Sequence, residues 1–177
     1  QYVLYADYGN SSQTWYVNGN YIKEDNINVS ANFPQFFGFR MIAGGENCLE
    51  QENAVIVPES FALRYFGTFD VIGKTVDRDG KMFISGVYKD FPANCFIKNI
   101  IYSRLYISNE LMDNWGYNSF TMFVKAGNSL AEIERGTNQY LQQLNEKYGN
   151  QAFRTSFEFV GITEMQYLEG VNGSPVT

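Results

Sequence analysis

No stretch of this chain stays apolar for longer than one strand. The longest buried-looking run is Ala54-Val55-Ile56-Val57, far short of the roughly 18 to 20 apolar residues that cross a bilayer. Turn-forming residues interrupt the chain between such runs. A polypeptide with this punctuation has to be assembled from short strands with few helices, and the pattern is α+β.

The strands are read from alternation and from what bounds them. Residues 2–6 and 13–17 are extended segments separated by Gly9-Asn10-Ser11-Ser12. Asn18-Gly19 then supplies a two-residue hairpin turn, because both residues tolerate positive φ, and 21–29 is the return strand. Asn32-Phe33-Pro34-Gln35-Phe36-Phe37 predicts a short helical turn, with a strand over 39–42 after it and a polar loop over 43–53. Residues 74–77 and 82–88 read as a hairpin closed through Arg78-Asp79-Gly80-Lys81. Further strands are expected over 100–107, 119–125 and 153–160.

Two helices carry end signals. Ala54 to Val57 runs into Pro58-Glu59-Ser60, where Pro suits a first helical turn. Phe61, Ala62, Tyr65 and Phe66 share one face until Gly67 closes the segment. The one long helix spans about 129–148, with Asn128 as N-cap and Gly149 as C′ residue. Its core-facing stripe is Leu130, Ile133, Leu141, Leu144 and Tyr148. Flanked by 119–125 and 153–160, it predicts a strand, a crossover helix and a second strand packed as one unit.

With 177 residues, 45% of them hydrophobic and 17% aromatic, the chain buries a core without help from cross-links. A net charge of −6 with no lysine or arginine cluster argues against a nucleic-acid partner, since phosphate backbones need a basic patch. The chain opens at Gln1 without a basic-then-apolar leader, so it reads as a segment of something longer.

Chemistry is conspicuous by what the sequence omits. There is no histidine, which removes Ser-His-Asp and Cys-His nucleophilic machinery, histidine zinc sites and the commonest general base near neutral pH. Gly73-Lys74-Thr75 resembles the end of a phosphate-binding loop, but position 68 is Thr68 rather than glycine, and the segment follows a helix. Asp77-Arg78-Asp79-Gly80 begins like a calcium loop, but the fifth ligand position is Lys81 and the terminal glutamate is missing. The former reads as a strand entry and the latter as a turn. No catalytic, cofactor-binding or metal-ligating residue is assigned, and the chain is not expected to be an enzyme. Cys48 and Cys95 are too few for a disulfide framework. They are either two independent small residues or, in an oxidising compartment, one bridge. The abundance of rings, including Trp15-Tyr16 and Trp115-Gly116-Tyr117, supports an alternative reading as a secreted module that binds glycans or peptides through exposed aromatics.

Several segments, taken in order, resemble the MacB-like periplasmic core domain of ABC-transporter permeases of the MacB/FtsX type. Val29-Ser30-Ala31-Asn32-Phe33-Pro34-Gln35-Phe36-Phe37-Gly38-Phe39 is similar to that family's entry segment, and Gly44-Gly45 to the glycine after it. Ala54-Val55-Ile56-Val57-Pro58-Glu59-Ser60-Phe61-Ala62 with Tyr65-Phe66-Gly67 resembles its strand-then-helix element. Asp70-Val71-Ile72-Gly73-Lys74-Thr75-Val76 and Ile84-Ser85-Gly86-Val87-Tyr88-Lys89-Asp90-Phe91-Pro92 follow in the family's order. Each motif is only turn and core chemistry; their order and spacing over 29–92 carry the resemblance. The wording of 88–92 is similar to permeases of Bacteroidetes-like bacteria.

The resemblance implies an α+β fold in two subdomains. A βαβ-containing porter-like subdomain would be formed by both chain ends, 1–45 and 110–177, and a β-rich subdomain, 46–109, would be inserted between them. Both termini would emerge on one side, where membrane helices attach. It further implies a domain without catalysis, on the periplasmic side of an inner-membrane protein. There it would relay ATP-driven motion of the membrane helices to a substrate or partner outside the membrane. The implied partners are a cytoplasmic ATPase subunit or domain, a second permease in a dimer, and a periplasmic protein.

Overall fold

The computed structural model describes residues 2–6, 12–106, 121–125 and 130–148, together with Phe159 and Gly161. Its strands are β1 (Tyr2–Ala6), β2 (Ser12–Val17), β3 (Asn20–Val29), β4 (Met41–Ala43), β5 (Ala54–Pro58), β6 (Phe83–Tyr88), β7 (Ile101–Arg104) and β8 (Thr121–Val124). The helices are α1 (Phe33–Phe37), α2 (Glu59–Phe66) and α3 (Leu130–Tyr148). The fold is α+β.

The strands form one mixed sheet in the order β4-β6-β5-β7-β3-β1-β8, with β2 paired to β3. The β5–β6 and β3–β7 pairs are parallel, whereas the others are antiparallel. At the tip of the β2–β3 hairpin Asn18 and Gly19 adopt φ of 49° and 80°, the double left-handed step such a turn requires.

The run at 54–57 is continuously apolar because β5 is covered on both faces. All five of its residues are buried. Ala54 and Ile56 enter one cluster with Phe33, Phe39, Leu49, Tyr88 and Tyr102. Val55 and Val57 enter the opposite one, with Trp15, Val17, Phe61, Ala62, Val71 and Ile84. Each side chain of that size contributes about 1.5–3 kcal/mol on full burial. The first cluster lies under α1 and the 45–51 loop; the second lies under α2 and the β2–β3 hairpin.

Local chemistry moves several boundaries. The strand expected over 39–42 begins only at Met41. Gly38 ends α1 in the left-handed conformation, and Phe39 donates its N–H to Pro34 O at 2.8 Å. Phe39 therefore completes the helix end, and its ring packs against Phe33, Tyr88, Phe91 and Tyr102. The strand expected over 74–77 contracts to a single Thr75–Phe83 bridge, supported by Ile84 N–H donating to Lys74 O and Gly73 N–H to Ile84 O. Pro58 does not open α2 as a helical residue. It is the extended N-cap, with ψ of 157°.

The polypeptide divides into two compact units, 1–125 and 126–177. Unit 1 holds all of the described strands. Among the described residues β5-α2-β6 is a β-α-β element, within the segment expected to be the β-rich insert, and the sheet takes strands from 1–45, 46–109 and, through β8, 110–177. The expected division at those boundaries stays an expectation, since much of 110–177 lies outside the described residues. In unit 2, α3 covers the expected helix, but Leu130 of its predicted apolar stripe is exposed and Ile133 is half-buried. Within the strand expected over 153–160 only Phe159 is described, and it is not in a strand; the rest of it, the caps Asn128 and Gly149, and the placement of the C-terminus lie outside the described residues.

Candidate functional surface

Asp77, in the segment that begins like a calcium loop, is a structural tie, and so are Glu59 and Asp90. Asp77 accepts the Lys81 N–H at 3.2 Å and the Met82 N–H at 2.9 Å, so its carboxylate closes the turn at Gly80 and is not poised for a cation. Asp90 accepts the Ser60 N–H at 3.3 Å at the start of α2, and Glu59 accepts the Asp90 N–H at 3.2 Å. Lys89 sits 3.5 Å from Glu59. Among the described residues no group of histidine, cysteine and acidic side chains could hold a metal ion. The phosphate-loop resemblance at Gly73-Lys74-Thr75 resolves into the Thr75 bridge, with Lys74 Nζ 4.9 Å from the Phe66 ring centroid.

A second polar knot ties α2 to the hairpin. Glu24 Oε1 accepts Tyr65 Oη–H at 2.5 Å and Arg64 at 2.8 Å, and Asn18 Nδ2 donates to Tyr65 O at 2.7 Å. Partial withdrawal from water, then donation to the Glu24 carboxylate, raises the Tyr65 hydroxyl's pKa. These contacts join residues about forty positions apart, which is why no local pattern announced them. The space beside them, lined by Glu24, Ser60, Arg64 and Asn99 among others, measures about 20 Å³, room for one water and no substrate. The larger hollow, about 360 Å³, lies between Gly45, Asn47, Cys48, Gln51, Ile72, Gly73, Phe83 and Ser85. No charged side chain is among them.

Among the described rings Trp15, Phe33, Phe39, Phe61, Tyr88 and Tyr102 are buried, whereas Tyr21, Phe96 and Tyr106 are exposed. Trp15 is 1% exposed, its Nε1–H donating to Glu24 O at 3.3 Å. Tyr16 and Tyr21 pair across the hairpin at 5.1 Å with rings tilted 56°. Phe37, Phe96 and Phe123 meet at 5.1–6.0 Å, inclined by 41–86°. Tilted pairs of this kind are packing contacts. Among the described rings no coplanar exposed row emerges, so they give no support to glycan stacking. Trp115-Gly116-Tyr117 lies outside the described residues.

Cys48 and Cys95 are not joined in the structure. Cys48 is buried, with Gly86 against its Cβ in mid-strand. Cys95 is half-buried in the 91–100 loop, where its N–H donates to Pro92 O. Because β5 and β7 are antiparallel, with Ile56 opposite Tyr102, the loop entering β7 lies beyond the far end of β5 from Ala54. Burial pushes the Cys48 thiol up to about 11.

No family model and no curated protein matches this sequence. Solved structures do match its fold. A domain of a candidate permease from Porphyromonas gingivalis superposes with a TM-score of 0.66 at 19% identity, over 96% of this chain and 79% of that one. The extracellular domain of the noncanonic ABC-type transporter YknZ from Gram-positive bacteria gives 0.56 at 18%, over 89% and 81%. The periplasmic region of MacB from Actinobacillus actinomycetemcomitans gives 0.53 at 16%, over 81% and 67%. The chain thus has the fold of extracytoplasmic domains of ABC-type transporters.

Proposed function

We propose that this chain is the non-catalytic extracytoplasmic domain of an ABC-transporter permease, carried on the periplasmic side of an inner-membrane protein. It relays ATP-driven motion of flanking membrane helices to a substrate or partner outside the membrane. Its partners are a cytoplasmic ATPase, a second permease copy and a periplasmic protein. The observation that carries this reading is the fold likeness to a permease domain over 96% of the chain at a TM-score of 0.66. The ordered motifs over 29–92 and the use of Asp77, Asp90, Glu24 and Glu59 as structural ties support it.

Among the described residues no helix is long and apolar enough to cross a membrane, so the reading places the membrane helices in flanking sequence. The test is fractionation and affinity purification of the full-length gene product from its native cell. The expected result is an integral membrane protein with hydrophobic stretches of roughly 20 residues on both sides of this segment, co-purifying with an ATPase. A product released in soluble form and bound to no ATPase overturns the proposal.

A further inference from the structure

Unit 1 is entered and left at one point. β1 and β8 are antiparallel neighbours, with Tyr2 opposite Val124, Val3 opposite Phe123, Leu4 opposite Met122 and Tyr5 opposite Thr121. The chain therefore arrives at Tyr2 beside the place where, after Lys125, it passes into unit 2. β1 is also held on its other side by β3, through Tyr5 opposite Val29 and Ala6 opposite Asn28. The arriving strand is thus an interior member of the sheet.

This geometry makes the response to force directional. If the chain before Tyr2 and the chain after Lys125 move together, the β1–β8 ladder carries no relative load and the sheet moves as one body. If they separate, the ladder is loaded at its Tyr2–Val124 end, and its hydrogen bonds break in succession. A pull that slid the strands past each other would instead strain every bond at once.

From this we infer that unit 1 transmits common displacement of its two connections and not their separation. It is moved as a rigid body, and spreading its connections peels β1 from β8. The inference rests on the proposed coupler role for its biological meaning, and it excludes a coupler that works by being stretched between its two connections.

The full 177-residue chain tests it in a Cys48→Ala, Cys95→Ala background, by single-molecule pulling with two handle pairs. Tyr2→Cys with Lys125→Cys loads the ladder in peeling; Ala6→Cys with Lys125→Cys loads the same ladder in sliding. The expected first rupture force is several-fold lower in the peeling pair. Equal forces, or a stronger peeling pair, overturn the inference. Amide hydrogen exchange on the unaltered chain gives a second reading that no substitution can spoil. Ladder amides are expected to lose protection from the Tyr2–Val124 end toward the Tyr5–Thr121 end, and a uniform or reversed gradient contradicts the peeling geometry. Both outcomes are properties of this chain alone, so a soluble full-length gene product would sink the coupler role and leave these measurements standing.

Discussion

Gly44 and Cys48 show how single residues are fixed by their neighbours. Gly44 has φ of +80°, and a Cβ there would stand 2.4 Å from Ser85 O, a backbone atom held in β6. At Gly38, with φ of +66°, nothing lies within 4 Å of the same virtual atom. Gly38→Ala is expected to cost about 1–2 kcal/mol, the penalty of the left-handed conformation alone. Gly44→Ala adds a backbone clash to strain of about 1–3 kcal/mol and should lower the urea midpoint more, as parallel denaturation curves would show. Equal losses would refute the close approach. The thiols give a second measurement. Thiolate is the reactive form, and a thiol raised to about 11 carries very little of it near pH 8. Cys95 should therefore react with a disulfide reagent well before Cys48 in the native, unreduced protein, and two thiols should titrate after denaturation. A count of zero after denaturation would establish a Cys48–Cys95 bridge instead.

Elements here are finished by contacts their own sequence does not contain. The N-terminus of α2 takes its cap from Asp90, thirty residues on, since Pro58 at the N-cap has no side-chain acceptor. Asp90→Ala should destabilise by about 1 kcal/mol, the usual worth of a cap, measured by chemical denaturation. No change would mean that the 3.3 Å contact contributes nothing. The entry to β7 is held by Tyr88, whose hydroxyl donates to Ile100 O at 2.7 Å and accepts the Ile100 N–H at 3.0 Å. Burial, and then the neighbouring Tyr102, raises its pKa well above the ordinary range, so it stays a neutral donor. Tyr88→Phe keeps the ring but strands both backbone groups, and should cost about 1–3 kcal/mol. Faster amide exchange at Ile100 in that variant would distinguish this cause from general loosening.

At the scale of the molecule, β5 joins two cores into one unit. Ile56 points into the cluster under α1, and Val57 into the cluster under α2. Ile56→Ala should cost about 2–5 kcal/mol in lost burial and cavity formation, and Val57→Ala should cost somewhat less. Both should shift the same unfolding transition of the sheet, followed by far-UV circular dichroism across a urea series. Two separable transitions, each sensitive to one substitution, would show that the faces fold independently.

Sequence alone determined what depends on neighbouring residues. Asn18-Gly19 can turn with two positive φ angles, Gly67 can end a helix, and Ala54-Val55-Ile56-Val57 reads as a short buried strand. The missing histidines and incomplete ligand loops were equally legible, because catalytic and metal chemistry demand particular side chains at particular spacings. Tertiary structure decided the rest. Whether 39–42 began as strand or as helix end depended on Phe39 finding Phe33, Tyr88 and Tyr102. That 74–77 forms only a bridge at Thr75 shows in its contacts with Phe83 and Ile84. The Glu24–Arg64–Tyr65 knot and the Asp90 cap join residues thirty to forty positions apart. The adjacency of β1 and β8 spans more than a hundred. Periodicity reports which face of an element is apolar, but strand order and register are settled only when distant faces compete for the same buried surface.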